Sequence, residues 1–260
     1  SMWKGAAFAN AARNGVFAAE LAALGMTGPA PIFEGEKGFM KIVSGPFAMP
    51  RFNPKRPFKI MKTYIKYYPV EYHAQSAVQA ALQVRANLPS KNTEEIEAIE
   101  VGTPDISYEI IGNDPDKWRP ESRETADHSL PYIVAAALMD GKMGLPQFNT
   151  RHLSDPKLRQ LMQKVRVVPD EGHSARYGKT MGNTVSVDMG GKTYTARVDL
   201  PRGFPGNEMT DEEVEAKFRR LAAPLLPKTS VQQCLDMIWR LEKLQSVREL
   251  LPLFLIKDKK

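Results

Sequence analysis

The sequence predicts an α+β fold: a mixed strand–helix domain flanked by helical segments. Three observations carry this expectation. Apolar residues recur at helical spacing in several segments, including both ends of the chain. Residues 184–200 instead alternate at period two, and Gly190 and Gly191 interrupt the alternation as a hairpin turn would. The expected division is a helical segment over residues 1–59, the mixed domain over 60–200 and a returning helical segment over 201–260.

The elements follow in order. Alanines at 6, 7, 9, 11, 12, 18, 19, 22 and 23 predict a helix of little bulk, which must pack closely against neighbours. Gly25, Thr27, Gly28 and Pro29 stop it. Residues 31–57 are turn-laden, and residues 66–68 enter extended because Pro69 disfavours helix at Tyr68. A helix over about 74–86 buries Ala77, Val78, Ala81, Leu82 and Arg85 on one face. Ile96, Ile99 and Val101 mark a strand, which residues 105–111 extend or pair with. Residues 115–120 read as a loop carrying Trp118 and Arg119. Leu130, Val134, Ala137 and Leu138 set a helical face, with Pro131 in the first turn, where proline is tolerated. A short helix over 155–163, a strand over 164–168 and the glycine-divided hairpin complete the mixed region. In the hairpin Val185, Val187 and Met189 face one way, Thr184, Ser186 and Asp188 the other. Thr210 followed by Asp211, Glu212 and Glu213 starts a helix, a second covers about 230–241, and residues 247–255 end the pattern.

Composition narrows the function. A chain of 260 residues with 42% hydrophobic and 25% charged residues is ordinary for a soluble globular protein. The single cysteine, Cys234, excludes an internal disulfide framework and a thiolate-held metal cluster within this chain, and it fits a reducing, cytoplasmic setting. No segment approaches a membrane span, and no signal-peptide pattern is seen, so no membrane partner is expected. The net charge of +6 is spread along the chain without a nucleic-acid motif, so a small acidic molecule is the expected partner rather than nucleic acid.

Two places concentrate chemistry. Lys66, Glu71 and His73 cluster at a strand-to-helix corner, where an ammonium, a carboxylate and an imidazole can converge on a small acid; the alternative is a solvated corner over packed aromatics. His128 and Ser129 precede the helix that begins near Pro131, so orphan N–H groups favour a carboxylate there. Asp127 or Ser129 can instead cap that helix, and Tyr132 either donates its hydroxyl to a substrate or fills the core. His173, between Gly172 and Ser174, reads as a mobile-loop residue without a catalytic part, and His152 as a surface or capping residue. No P-loop, dinucleotide fingerprint, zinc spacing or Gly-x-Ser-x-Gly elbow is present, so neither metal nor cofactor is expected.

Four ordered motifs give a resemblance. They are Met2, Trp3, Lys4, Gly5 with Asn10 to Gly15 and Gly25 to Gly28; Tyr68, Pro69, Val70, Glu71, Tyr72, His73 and on to Ala77; Arg123, Glu124, Thr125, Ala126, Asp127, His128, Ser129 and on to Tyr132, with Asp140 and Gly141; and Pro201, Arg202, Gly203 with Asn207 to Thr210. Together they resemble the MmgE/PrpD family, which contains 2-methylcitrate dehydratase and cis-aconitate decarboxylase. The resemblance implies that residues 60–200 are a mixed strand–helix lid domain flanked by helical segments belonging to a larger all-α domain, in a chain that corresponds to the C-terminal half of a full-length member and lacks the helical N-terminal half. It implies a homodimer and a place in propionate catabolism. Lys4 falls at the position of a family active-site lysine, which adds it to Lys66 and Tyr132 as a substrate-binding residue beside the catalytic set Glu71, His73 and His128. At position 71 the decarboxylase branch resembles a histidine, so glutamate leans toward dehydration of a 2-methylcitrate-like hydroxy-tricarboxylate without metal. A related decarboxylase or epimerase, or a non-catalytic half that binds its missing half or a second copy, are the alternatives.

Overall fold

The computed structural model describes residues 3–49, 53 and 55–256, with the side chains of Lys4 and Lys59 outside the described part. The chain forms two compact units, Ser1–Thr63 and Tyr64–Lys260. In the first, α1 (Trp3–Ala23) is the alanine-rich helix, exposed along most of its length. Gly25 ends it at φ 92°, and the Met26 N–H donates back to Leu21 O at 3.0 Å, which a residue with a Cβ would allow only with strain. Phe33, Phe39 and Phe47 then meet edge to face, with centroids 6.3–6.4 Å apart, and gather the turn-laden passage around them.

The second unit is α+β, as the sequence predicts. Its four-stranded mixed sheet has the order β2-β1-β3-β4, from β1 (Ile96–Thr103), β2 (Val165–Pro169), β3 (Asn183–Met189) and β4 (Lys192–Val198). β1 runs parallel to β2, with Ile99 opposite Val165, and antiparallel to β3, with Val101 opposite Val185. Gly190 and Gly191, at φ 60° and 67°, close the β3–β4 hairpin in the turn that their spacing predicts. β3 alternates strictly: Val185, Val187 and Met189 are buried, while Thr184, Ser186 and Asp188 are partly exposed.

Helix α2 (Gln75–Asn87) packs on β3 and β4 and against α3 (Leu130–Asp140), which itself reaches β2 and α4 (Pro156–Gln163). Ala135, Ala136 and Ala137 of α3 and Ala77, Ala80 and Ala81 of α2 are fully buried, and their small side chains let these layers approach closely. The larger apolar side chains between the layers, such as Ile99, Leu138 and Val187, each contribute about 1.5–3 kcal/mol by leaving water. Beyond the sheet come α5 (Asp211–Ala222), opened by a Thr210–Glu213 capping box, and α6 (Lys228–Ile238). Residues 247–255 form only single 3₁₀ turns.

Three sequence expectations are corrected. Residues 105–111 neither extend nor pair with β1: β2 and β3 already occupy both its edges, and after Pro104 the chain turns into a helical stretch from Asp105 to Gly112. His173 is not a loop residue. It lies in the turn Glu171–Ser174, capped by the Asp170 carboxylate, and is fully buried. Gly182 makes the room, since a Cβ there would sit 2.4 Å from His173 Nδ1. His152 is not a surface residue either: its Nε2 pairs with Asp140 at 2.8 Å and its Nδ1 lies 3.0 Å from the Tyr132 hydroxyl. Among the described residues no helix is long and apolar enough to cross a membrane.

Candidate active site

The turn that begins with Pro69 is held from inside. The Gln75 amide donates to Tyr68 O at 2.9 Å and to Val70 O at 3.2 Å, and its oxygen accepts from the Tyr68 N–H at 3.1 Å. Buried and at the first position of α2, Gln75 fixes a loop that has no ladder of its own. Glu71 follows as the cap of the turn Tyr72–Ala74, accepting the His73 N–H at 2.7 Å. His73 Nδ1 lies 3.0 Å from both carboxylate oxygens of Glu71, and its Nε2 lies 3.2 Å from the Tyr177 hydroxyl, with the two rings stacked 6.0 Å apart. A carboxylate, an imidazole and a phenol thus run in series.

A second pair stands beside this one. The His128 and Asp127 side chains meet through Nδ1 and Oδ1, and the Glu71 N–H donates to the Asp127 carbonyl at 2.8 Å. Ser129 is the residue that caps α3, through the Tyr132 N–H at 3.2 Å, which leaves the Asp127 carboxylate to the imidazole.

Glu71 of the first pair and both members of the second border a cleft of about 440 Å³, lined also by the cations Lys66, Arg123, Lys217 and Arg220; Tyr67, Tyr68, Val70, Leu145 and Leu221 supply apolar wall. Lys66 Nζ donates to Val70 O at 3.0 Å, and Lys217 Nζ donates to the Lys66 carbonyl. Burial raises the Glu71 carboxyl, but the hydrogen bonds and charge of His73, with the charge of His128, outweigh it and hold the group below its ordinary value. Burial beside Tyr67 pushes the Tyr68 phenol up to about 12, so it stays a neutral donor.

Of the residues singled out in the sequence, Glu71, His128 and Lys66 line this cleft, and His73 stands behind Glu71. Tyr132 is elsewhere. It is 1% exposed, its hydroxyl donates to Gln147 O, and it borders a separate cavity of about 410 Å³ with Trp118 and Arg159. Its hydroxyl is held by the interior, so it does not reach the cleft that holds Glu71 and His128. Lys4 belongs to the first unit, and its side chain lies outside the described residues. Sequence reading missed Arg123, Lys217, Arg220, Gln75 and Tyr177. Lys217 and Arg220, three apart on an amphipathic helix, gave a readable signal, since that spacing puts both on one face.

The fold and cleft define an α+β protein in which Glu71, backed by His73, and the Asp127–His128 pair face a cation-lined cavity. Residues 68–243 match the MmgE/PrpD C-terminal domain and residues 1–51 the MmgE/PrpD N-terminal domain, so the chain belongs to the MmgE/PrpD family. It is 26% identical over 247 residues to the cis-aconitate decarboxylase of Mus musculus, covering 91% of this chain and 49% of that protein. To the mitochondrial 2-methylcitrate dehydratase of Yarrowia lipolytica it is 25% identical over 202 residues, covering 69% of this chain and 38% of that protein. To the 2-methylcitrate dehydratase of Cupriavidus necator it is 28% identical over 160 residues, covering 55% and 32%. The chain spans about half the length of the cis-aconitate decarboxylases it matches.

Proposed function

We propose that this chain supplies the C-terminal part of a hydro-lyase site that dehydrates a small hydroxy-polycarboxylate of the 2-methylcitrate type, without metal. The observation that carries the reading is the pair of carboxylate–imidazole couples joined by the Glu71–Asp127 hydrogen bond at a cation-lined cleft. Dehydration needs a base for the proton next to a carboxylate, an acid for the departing hydroxyl and cations for the charge that develops. Glu71, ionised at neutral pH, takes the proton. His128, held by Asp127, gives one to the hydroxyl. The C–H and C–O bonds break, a C=C bond forms and water leaves. Lys66 and Arg123 offset the enolate-like charge. An arriving polyanion raises the Glu71 carboxyl from its depressed value toward the working pH, which strengthens it as a base.

Decarboxylation is the second reading, because the relatives include cis-aconitate decarboxylases at similar identity. A carboxylate at position 71 suits proton removal from carbon and supports dehydration. The remaining wall of the site then comes from the helical N-terminal half or from a second copy of the chain. The test is a panel of citrate-like acids, assayed with and without a supplied N-terminal half, after exhaustive chelation, with NMR detection of the product. A new vinylic product with no loss of carbon is expected. Carbon dioxide release in its place would replace the reading by decarboxylation, and activity that returns only with an added metal would defeat the metal-free mechanism.

A further inference from the structure

The cleft holds more positive charge than the proton transfers use. Lys217 and Arg220 stand three residues apart on α5, on one face of the helix, and both line the cleft. Their neighbours are paired: Arg219 with Glu215 at 3.1 Å, and Arg202 with Glu213. Among the described residues Lys66, Lys217 and Arg220 form no ion pair. Lys217 instead spends a donor on the Lys66 carbonyl, which holds its ammonium near the Lys66 strap. Burial first, then the charges of Arg220 and Lys66, push the Lys217 ammonium below its ordinary value. Like charges gathered at a cleft repel one another, and a bound anion relieves that repulsion as it gains their hydrogen bonds.

We infer that Lys217 and Arg220 form a clamp for one carboxylate of the ligand, an anchoring point separate from Glu71 and His128 that selects acids with a third carboxylate. The clamp rests on the reading of the cleft as a polycarboxylate site. Lys217 gives a point charge already fixed by its backbone contact. Arg220, exposed at the rim, gives a planar fork that closes on a carboxylate through two N–H groups. An acid with two carboxylates satisfies the Lys66 side and leaves the clamp unfilled.

Calorimetric titration of this chain with propane-1,2,3-tricarboxylate and with succinate tests the clamp. Lys217→Met and Arg220→Gln should each weaken tricarboxylate binding by about tenfold and succinate binding much less, as expected for loss of one charge-assisted hydrogen bond. Lys217→Arg should retain most of the affinity, and Lys192→Met, on the hairpin, should change nothing. Unchanged tricarboxylate affinity in both clamp variants overturns the clamp while leaving the polycarboxylate reading in place. Equal weakening by Lys192→Met also overturns it, in favour of net charge alone. No binding of either acid to the unsubstituted chain, with or without the N-terminal half supplied, removes the polycarboxylate reading and the clamp with it. Should Lys217→Met not fold, the exposed Arg220→Gln decides alone.

Discussion

The Glu71 N–H donates to the Asp127 carbonyl at 2.8 Å. That bond ties the turn after Pro69 to the residues that precede α3, and it sets two acid–base pairs side by side. Neither pair is local to the other in sequence, so the alignment of Glu71 with His128 depends on this one backbone contact and on the packing of α2 against α3.

Glu71→Gln and His73→Ala, assayed with the N-terminal half supplied, should each lower turnover by about 10²–10⁴-fold. The two should differ in cause. The first substitution removes the base itself, whereas the second leaves the carboxylate in place without its imidazole and without the Tyr177 contact. Tyr177→Phe should therefore alter the pH profile of turnover more than the fold. Near-normal rates in both the Glu71 and His73 variants would reduce this corner to a structural cap of the turn after Pro69.

Gly203→Ala should destabilise the chain by about 1–3 kcal/mol in urea unfolding, since it imposes a rare backbone conformation and a steric clash together. Gly203 sits at φ 89°, and a Cβ there would lie 2.0 Å from the Ile65 carbonyl oxygen. Ile65 precedes the Lys66 strap, so the same variant should weaken anion binding in the cleft. A fully stable Gly203→Ala chain would mean that the strap moves without cost.

Acid should destabilise the fold through His173. Burial lowers its imidazole below the ordinary 6.5, opposed by Asp170 and Asp199 and aided by Arg197. The native imidazole therefore stays neutral where the unfolded one already binds a proton. Stability is complete above pH 6.5 and falls as the pH drops below it, until the folded imidazole also titrates. Melting temperatures of the unsubstituted chain and of His173→Gln, measured downward from that pH, should converge as acid erodes the advantage of the native imidazole. Parallel curves would assign the acid sensitivity to other groups.

Much of the fold was legible because its signals are local. Alternation in β3, the paired glycines after it, the Thr210 capping box and Pro131 in a first turn each specify a structure within a few residues. The elements that escaped depend on distant partners. Asp105 to Gly112 reads as strand until the edges of β1 are seen to be taken, and Gly172 and Ser174 make His173 read as loop although Gly182 opens a buried place for it. The site divides in the same way. Lys66, Glu71 and His73 lie within one motif, but Arg123, Lys217 and Arg220 come together only in three dimensions. Tyr132 shows the reverse: a helix N-terminus marks where the chain begins to turn, and the rotation of one residue sends the hydroxyl inward to Gln147.

This chain, expressed alone, should self-associate. In the second unit Leu225, Trp239, Leu241, Leu251, Phe254 and Leu255 stand exposed near the end of the chain, the last of them at 73%. Contiguous apolar patches larger than a few hundred Å² are rare on soluble monomers, so side chains of this kind are expected to find cover. Sedimentation should give a species heavier than the monomer, and an apolar-sensing dye should bind when the chain is diluted. A strict monomer that binds no dye would show that these side chains need no cover.

Lys217 reaches the Lys66 carbonyl across 151 residues of sequence. The cleft therefore closes a very long loop, and the entropy of that closure must be met before its contacts return anything. Sheet and helices between the two lysines form from nearer pairings. The cleft is thus expected to be among the last parts of the second unit to assemble, so that a folding chain should have most of its core before it has anywhere to hold a ligand.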